Sequence, residues 1–402
     1  MGVISFITEL TPMFLLLIIG SAALLLIVFI WKMFPSTVLF RLTIFSSVVL
    51  PGIPLVASLP RVRLDDFIGF SIFSLFFIHI SVKRRFLVPL TRETIFIIRL
   101  LLLFSLIVTL SVLISPLLDV PFNIKDWWDV IKPLKYIGLI LLGYAYIFTH
   151  PKNGIKEAYF ILIASYVLSA LMAFLEWYGW DKGFGELLVK LYAPPVQVLH
   201  YEHIRRAVGT GQDPNMGGKL IAFGILFLLP FTLEKFKHKF LSLTLMSILL
   251  LGLLTISSRT SLVALVLSGI AFWFLSFVKQ KRHRIKKALT IMLFGMLVYF
   301  LTSCMVSFVS PIYLSDFSKI ILNPFASRSF QGRLDDLERA FRLWLDSPVF
   351  GWGPAKSFIG YEGTKKFVIE TEYLYFLVHY GLIGLVVGIL FYLYPLIVFG
   401  KY

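Results

Sequence analysis

"HIRRAVGTGQDPNMGGKLIAFGILFLLP", residues His203 to Pro230, sets two adjacent arginines and a glycine-rich turn directly before a membrane-length apolar run. The run decides the fold class, because a bilayer core takes about 20 apolar residues per helix. Outward from it the pattern recurs. Candidate spans are residues 12–31, 37–58, 67–82, 94–115, 133–149, 155–178, 217–233, 241–256, 260–278, 288–310 and 371–398. The expected architecture is an all-α, polytopic transmembrane bundle of about 11 helices, forming a single membrane domain over 1–402. Composition agrees. Of 402 residues, 58% are hydrophobic and only 15% charged, where soluble domains carry about 25% charged residues. The first run, Met13 to Ile30, exceeds a signal-peptide core and lacks a basic leader and a cleavage site, so it reads as a retained helix. The lone cysteine, Cys304, permits no intrachain disulfide.

Charge orients the bundle. The short connections around Lys83–Arg85, Lys152 with Lys156, Lys235–Lys239 and Lys279–Lys287 share one side with Lys32, Arg41, Arg92 and Lys401, while Arg99 lies within a span. By count that side holds 18 Lys and Arg against three acids, and the other side 19 against 19. Nearly all of the net charge of +16 is therefore a topology signal, and the positive-inside rule makes the basic side cytoplasmic. A nucleic-acid binder would instead show a basic folded domain with interleaved aromatics, and no nucleic acid is expected as a partner.

Two segments on the outer side are too long for connectors, 179–216 and 311–370, and long loops are where function gathers. The second contains "GRLDDLERAFRLWLDSP" from Gly332, which places Leu334, Leu337, Phe341 and Trp344 on one helical face. That amphipathic helix is expected on the membrane surface or capping the bundle, apolar face inward.

The cations come next. Arg205 and Arg206 either snorkel to headgroups or hold an anion. Gly209, Gly211, Gly217 and Gly218 allow a tight fold-back. Asp213 is an N-cap candidate with Pro214 at the first helical position and Asn215 beside it. A helix N-terminus with free amides attracts anions, and arginine adds a planar fork suited to phosphate. Arg259, in "SSRT", is either an interfacial anchor or a second member of the set. Arg339 and Arg342 have acids four residues earlier, the spacing of ordinary helical ion pairs. Arg333 at the helix start opposes the dipole, which points to another partner. Lys132 and Lys135 share a face beside Trp127 and Trp128, and either join an anion site or anchor the interface.

Among the acids, Glu370 and Glu372 stand at the mouth of the last helix. They either act as a general base or suit a helix start. His379, two turns deeper, reads as a buried hydrogen-bonding residue. Asp335–Asp336 diverge on a helix and chelate poorly; Asp65–Asp66 reads as a solvated helix start. No metal-ligand spacing and no P-loop is visible, so neither metal nor cofactor is expected. An enzyme here needs a substrate that carries its own activation, and a lipid-linked diphosphate fits: arginines neutralise the departing group in place of a metal.

"RAVGTGQDPNMGGKLIA", "TISSRTSLVALVLSG", "GRLDDLERAFRLWLDSPVFGWGP" and "ETEYLYFLVHYGLIGL" resemble, in that order, the O-antigen polymerase and O-antigen ligase family of bacterial envelope glycosyltransferases. The resemblance covers roughly residues 60–395. It implies metal-independent transfer of glycans carried on undecaprenyl diphosphate at the periplasmic face of the inner membrane. Arg206, Arg259 and Arg333 would then belong to the diphosphate and glycan site, with Arg205, Arg342, Lys132, Lys135, Asn215 and Glu372 as further substrate-binding candidates.

Polymerases of the family carry an Arg-x10-Gly pattern in each of two periplasmic loops, matched here by Arg206 to Gly217 and Arg342 to Gly353. That spacing favours Arg342 where the helix argument favours Arg333, which is kept ahead. Ligases of the family carry a histidine where this chain has Glu370. The resemblance thus implies polymerisation of lipid-linked repeats, inverting at the anomeric carbon, with Glu370 or else Glu372 taking the acceptor proton. Donor and acceptor glycans, the bilayer and a chain-length regulator protein are the partners it implies. Ligation to lipid A core, and transport of an anionic solute or lipid, remain the alternatives.

Overall fold

A computed structural model describes residues 36–52, 62–83, 89–118, 124–193, 207–211, 213–233, 239–256, 328–354 and 372–400, with a few positions between 258 and 269. The described elements are helical. In chain order they are α1 (Ser36–Val48), α2 (Leu64–Lys83), α3 (Arg92–Ile114), α4 (Ile124–Thr149), α5 (Gly154–Gly179) and α6 (Phe184–Tyr192). They continue with α7 (Pro214–Leu233), α8 (Lys239–Ile256), α9 (Arg328–Asp346) and α10 (Glu372–Gly400). Among the described residues, five helices are long and apolar enough to cross a bilayer, from α2, α3, α4, α5 and α10. The apolar runs in α1, α7 and α8 are shorter. The protein is an all-helical, polytopic membrane protein. Seven of the eleven expected spans fall on described helices, and 37–58 does so only as far as Val48; 12–31, 288–310 and most of 260–278 lie outside the described residues.

Two boundaries differ from the sequence reading. The helix expected from residue 133 begins at Ile124 and contains Pro133. Proline lacks the amide that would close a helical turn. A neighbouring helix supplies a donor beside the defect, because the Ser105 hydroxyl of α3 donates to the Val130 carbonyl at 2.7 Å. The amphipathic helix starts at Arg328, not at Gly332. Arg333 is consequently its sixth residue, and the dipole argument drawn from a place at the helix start does not hold.

The chain forms two compact units. The first is built from Met1–Phe40, Ile53–His150 and Ile320–Tyr402. Its core joins Ile107, Val108 and Val112 of α3, Val130 of α4, and Tyr380 and Val387 of α10. Phe104 meets the Phe376 and Tyr380 rings edge-on. On α9 the buried positions are Ala340 and, in part, Leu343 and Trp344, which pack near Val378. Leu334, Leu337, Phe341 and Leu345 remain exposed to the surroundings of the protein, so most of the apolar face expected to point inward does not cover protein.

The second unit comprises Arg41–Gly52 and Pro151–Lys319. Its core sets Tyr166, Ala170 and Ala173 of α5 against Ile221 of α7 and Leu249 and Leu253 of α8. Alanine at the α5 contact admits the α8 backbone: a Cβ on Gly252 would stand 2.6 Å from the Ala170 Cα. Small residues of this kind let membrane helices approach closely.

Candidate functional site

The second unit carries a turn, Ala207–Asp213, that folds back into its helices. Ala207, Val208 and Thr210 are buried. Buried amides need acceptors, and α5 provides them. Glu176 Oε2 accepts from the Val208 and Gly209 amides at 2.7 and 2.8 Å. Ser169 Oγ lies 2.7 Å from the Thr210 hydroxyl and 3.4 Å from its amide. Ser169 stands ten residues before the end of α5 at Gly179, so the turn reaches about 15 Å along that helix. Gly209 has a φ of 58°, which an L side chain adopts only with strain. A Cβ on Gly217 would overlap the Val208 carbonyl oxygen. The fold-back read from these glycines is present.

The start of α7 is filled by its own chain. Asp213 Oδ1 accepts from the Asn215 and Met216 amides at 2.8 and 2.9 Å, the N-cap geometry expected of it. Those amides are therefore not open to a ligand, which corrects the reading of this terminus as a ready anion site. Asn215 itself meets α8's following turn: Ser258 Oγ donates to its Oδ1 and Ser261 Oγ to its carbonyl, each at 3.2 Å.

Arg205, Arg206 and Arg259 lie outside the described residues, but the residue after Arg206 and the residue before Arg259 are placed. Ala207, next to Arg206, donates its amide to the Thr255 carbonyl at 3.5 Å. Ser258, next to Arg259, holds Asn215. The chain beside each arginine is thus tied to the corner where α7 begins and α8 ends.

The first unit has a counterpart in Ser347–Pro354. The last helix is broken at Gly381, which has φ 65° and ψ −166°. In an unbroken helix the Leu382 amide would bond the Val378 carbonyl. Here the Leu382 amide donates to Pro348 O at 2.9 Å, and Val378 O accepts from the Trp352 amide at 3.0 Å. The turn replaces both lost partners. Ser111 Oγ donates to Phe350 O and Ser115 Oγ to Trp352 O, each at 2.6 Å. His379 Nδ1 lies 2.7 Å from Gly353 O, so that nitrogen carries the proton. His379 is the buried hydrogen-bonding residue that its apolar setting led one to expect.

Of the other candidates, Arg342 pairs with Glu338 at 2.5 Å on the exposed side of α9, as the helical spacing suggests. The side chains of Arg333 and Glu372, and the whole of Glu370, lie outside the described residues. Lys132 is exposed, whereas Lys135 is buried. Lys135 Nζ sits 2.7 Å from Asp65 and 2.5 Å from Asp66. Two corrections follow. Asp65 and Asp66 are buried, not solvated, and Lys135 is neutralised internally, which withdraws it from the cations open to an anion. Among the described residues no three His, Cys, Asp or Glu side chains converge as a metal site requires.

Sequence reasoning passed over three groups. Glu176 was legible as a lone carboxylate in an apolar span, a placement that marks function by default. Asp126 and Asp129 are buried in the early turns of α4, with Tyr375 in hydrogen-bonding reach of Asp129. Their place beside Tyr375 depends on helix pairing and left no signal in spacing. The break at Gly381 looked like an ordinary glycine in an apolar run.

Comparison with known proteins returns one family. Residues 244–389 match the family model of O-antigen ligase, a segment running from α8 through α9 and the Ser347–Pro354 turn into α10. No curated protein and no solved structure matches the chain significantly.

Proposed function

With an O-antigen ligase domain over residues 244–389 as the premise, we propose that this protein is a metal-independent glycosyltransferase of the inner membrane. It polymerises glycan repeats carried on undecaprenyl diphosphate, at the periplasmic face. One observation carries the choice of polymerisation over ligation. Both Arg-x10-Gly segments end on glycines seated inside a helical contact, Gly217 against the Val208 carbonyl and Gly353 against the Ser115 hydroxyl. The ligase histidine is absent, with Glu370 in its place.

The roles follow from charge. Arg206 and Arg259 hold the diphosphate, and Arg205 and Arg333 support the donor. The internal use of Lys135, of the α7 amides and of the Val208–Gly209 amides leaves this work to guanidinium groups, which suit a diphosphate by their fixed fork. Glu370, or else Glu372, takes the proton of the acceptor hydroxyl as its oxygen attacks the anomeric carbon. The diphosphate leaves from the opposite face, and the configuration inverts. Lys132 and Arg342 stay at the edge of the donor, and Asn215 orients the α7 corner.

The break in α10 is a feature of transporters as well. In a transporter the opened backbone faces the solute; here the chain's own turn occupies it, which favours transfer chemistry. The test uses purified protein with a defined lipid-linked repeat. The expected product is a ladder still carried on undecaprenyl diphosphate, lost in Arg206→Ala with a fall in kcat of about 100-fold or more, the scale of removing a transition-state charge partner. Glu370→Gln is expected to abolish transfer and spare donor binding. Product moved to a lipid A core acceptor would establish ligation instead.

A further inference from the structure

We propose that Glu176 is a positioning residue for the Arg205–Arg206 segment: its carboxylate clamps the Val208 and Gly209 amides inside the second unit and so sets where the preceding arginines are presented. The inference rests on the proposed role of Arg206.

Glu176 is fully buried, on a helix otherwise composed of apolar and small residues in this stretch. A buried ionisable group in an apolar span is costly and marks a function. It makes two bonds, both to the turn and both through Oε2. Oε1 is buried with no hydrogen-bond partner among the described residues. The group is thus not a balanced element of the core, where buried polar atoms are satisfied. Its one visible task is to hold two consecutive amides, and the first of them belongs to Val208, two residues after Arg206.

The surroundings leave the turn little alternative anchorage. Ser169 holds Thr210 from the same helix, and Ala207 reaches Thr255 at 3.5 Å, the longest bond of the set. Beyond Gly211 the chain enters α7, whose place is fixed by Gly217 on Val208. Without the carboxylate, two buried amides lose their acceptor on the stretch that leads to Arg206, and that stretch can shift. A misplacement of about 1 Å remote from the chemistry can lower turnover by about 100-fold.

The test joins a positional readout to a kinetic one, on full-length protein in vesicles. The lone cysteine is replaced by Cys304→Ser, Ala207→Cys is introduced in the buried turn, and the rate of maleimide labelling is measured. Glu176→Ala is expected to raise that rate about 100-fold or more, as two buried amides left without an acceptor predict for local opening. Ser169→Ala, a milder change, is expected to raise it about 3-fold by the same argument, and it serves if Glu176→Ala does not fold. Glu176→Gln keeps an oxygen for both amides and is expected to restore slow labelling.

With the native Ala207, Glu176→Ala is expected to lower kcat at least 10-fold with little change in KM, and Glu176→Gln to recover most of it. In an Arg206→Ala background, Glu176→Ala should lower kcat no further, since a residue acting through another shows a non-additive cycle. Unchanged labelling in both alanine variants overturns the clamp. Multiplying losses in the double variant overturn its action through Arg206. Full turnover in Arg206→Ala alone refutes the proposed diphosphate site, while the labelling still decides the clamp independently.

Discussion

The two turns solve one problem with different chemistry. Each brings polar backbone into apolar helices, where every amide and carbonyl needs a partner. Ala207–Asp213 is held mainly at its amides, by the single carboxylate of Glu176 with help from Ser169. Ser347–Pro354 is held mainly at its carbonyls, by Ser111, Ser115 and His379, and by the backbone groups released at Gly381. The first concentrates its support in one ionisable side chain; the second divides it among neutral donors and a break in the helix. Concentrated support makes a turn sensitive to one substitution. Divided support makes it tolerant of side-chain loss and dependent on the backbone.

That contrast can be broken by measuring unfolding of the detergent-solubilised protein. The largest loss is expected for Glu176→Ala, about 4 kcal/mol, because two buried amides each lose an acceptor worth about 1–3 kcal/mol. Gly381→Ala comes next, at about 3 kcal/mol. A Cβ there overlaps the Val349 carbonyl, and a left-handed conformation adds about 1–2 kcal/mol for an alanine. Ser115→Ala is expected to cost least, about 1 kcal/mol, since it removes one neutral bond of several. If Ser115→Ala equals Glu176→Ala, support in the second turn is as concentrated as in the first, and the distinction fails. If Gly381→Ala is silent, the helix break does not anchor the turn.

Much of the architecture was legible because bilayer thickness imposes a length on apolar runs. The spans at 67–82, 94–115, 155–178, 217–233 and 241–256 are helices. Asp213 caps α7 because a short acid before proline is a local signal. Errors arose where a local rule met a distant partner. The apolar run suggested a span from residue 133, but α4 begins at Ile124. Asp65 and Asp66 suggested solvated acids, but Lys135 stands 69 and more residues away in the chain. Of the candidate site, the glycine fold-back was readable from composition and the Glu176 bonds were not, since they join residues 32 and 33 positions apart.

The sequence by itself determined that this chain is a helical membrane protein, because apolar length acts locally and sums along the chain. Only the tertiary structure decided which charges are already matched and which glycines bear a contact. A carboxylate's partner and a glycine's neighbour come from other helices, and the packing that selects them has no period in the sequence.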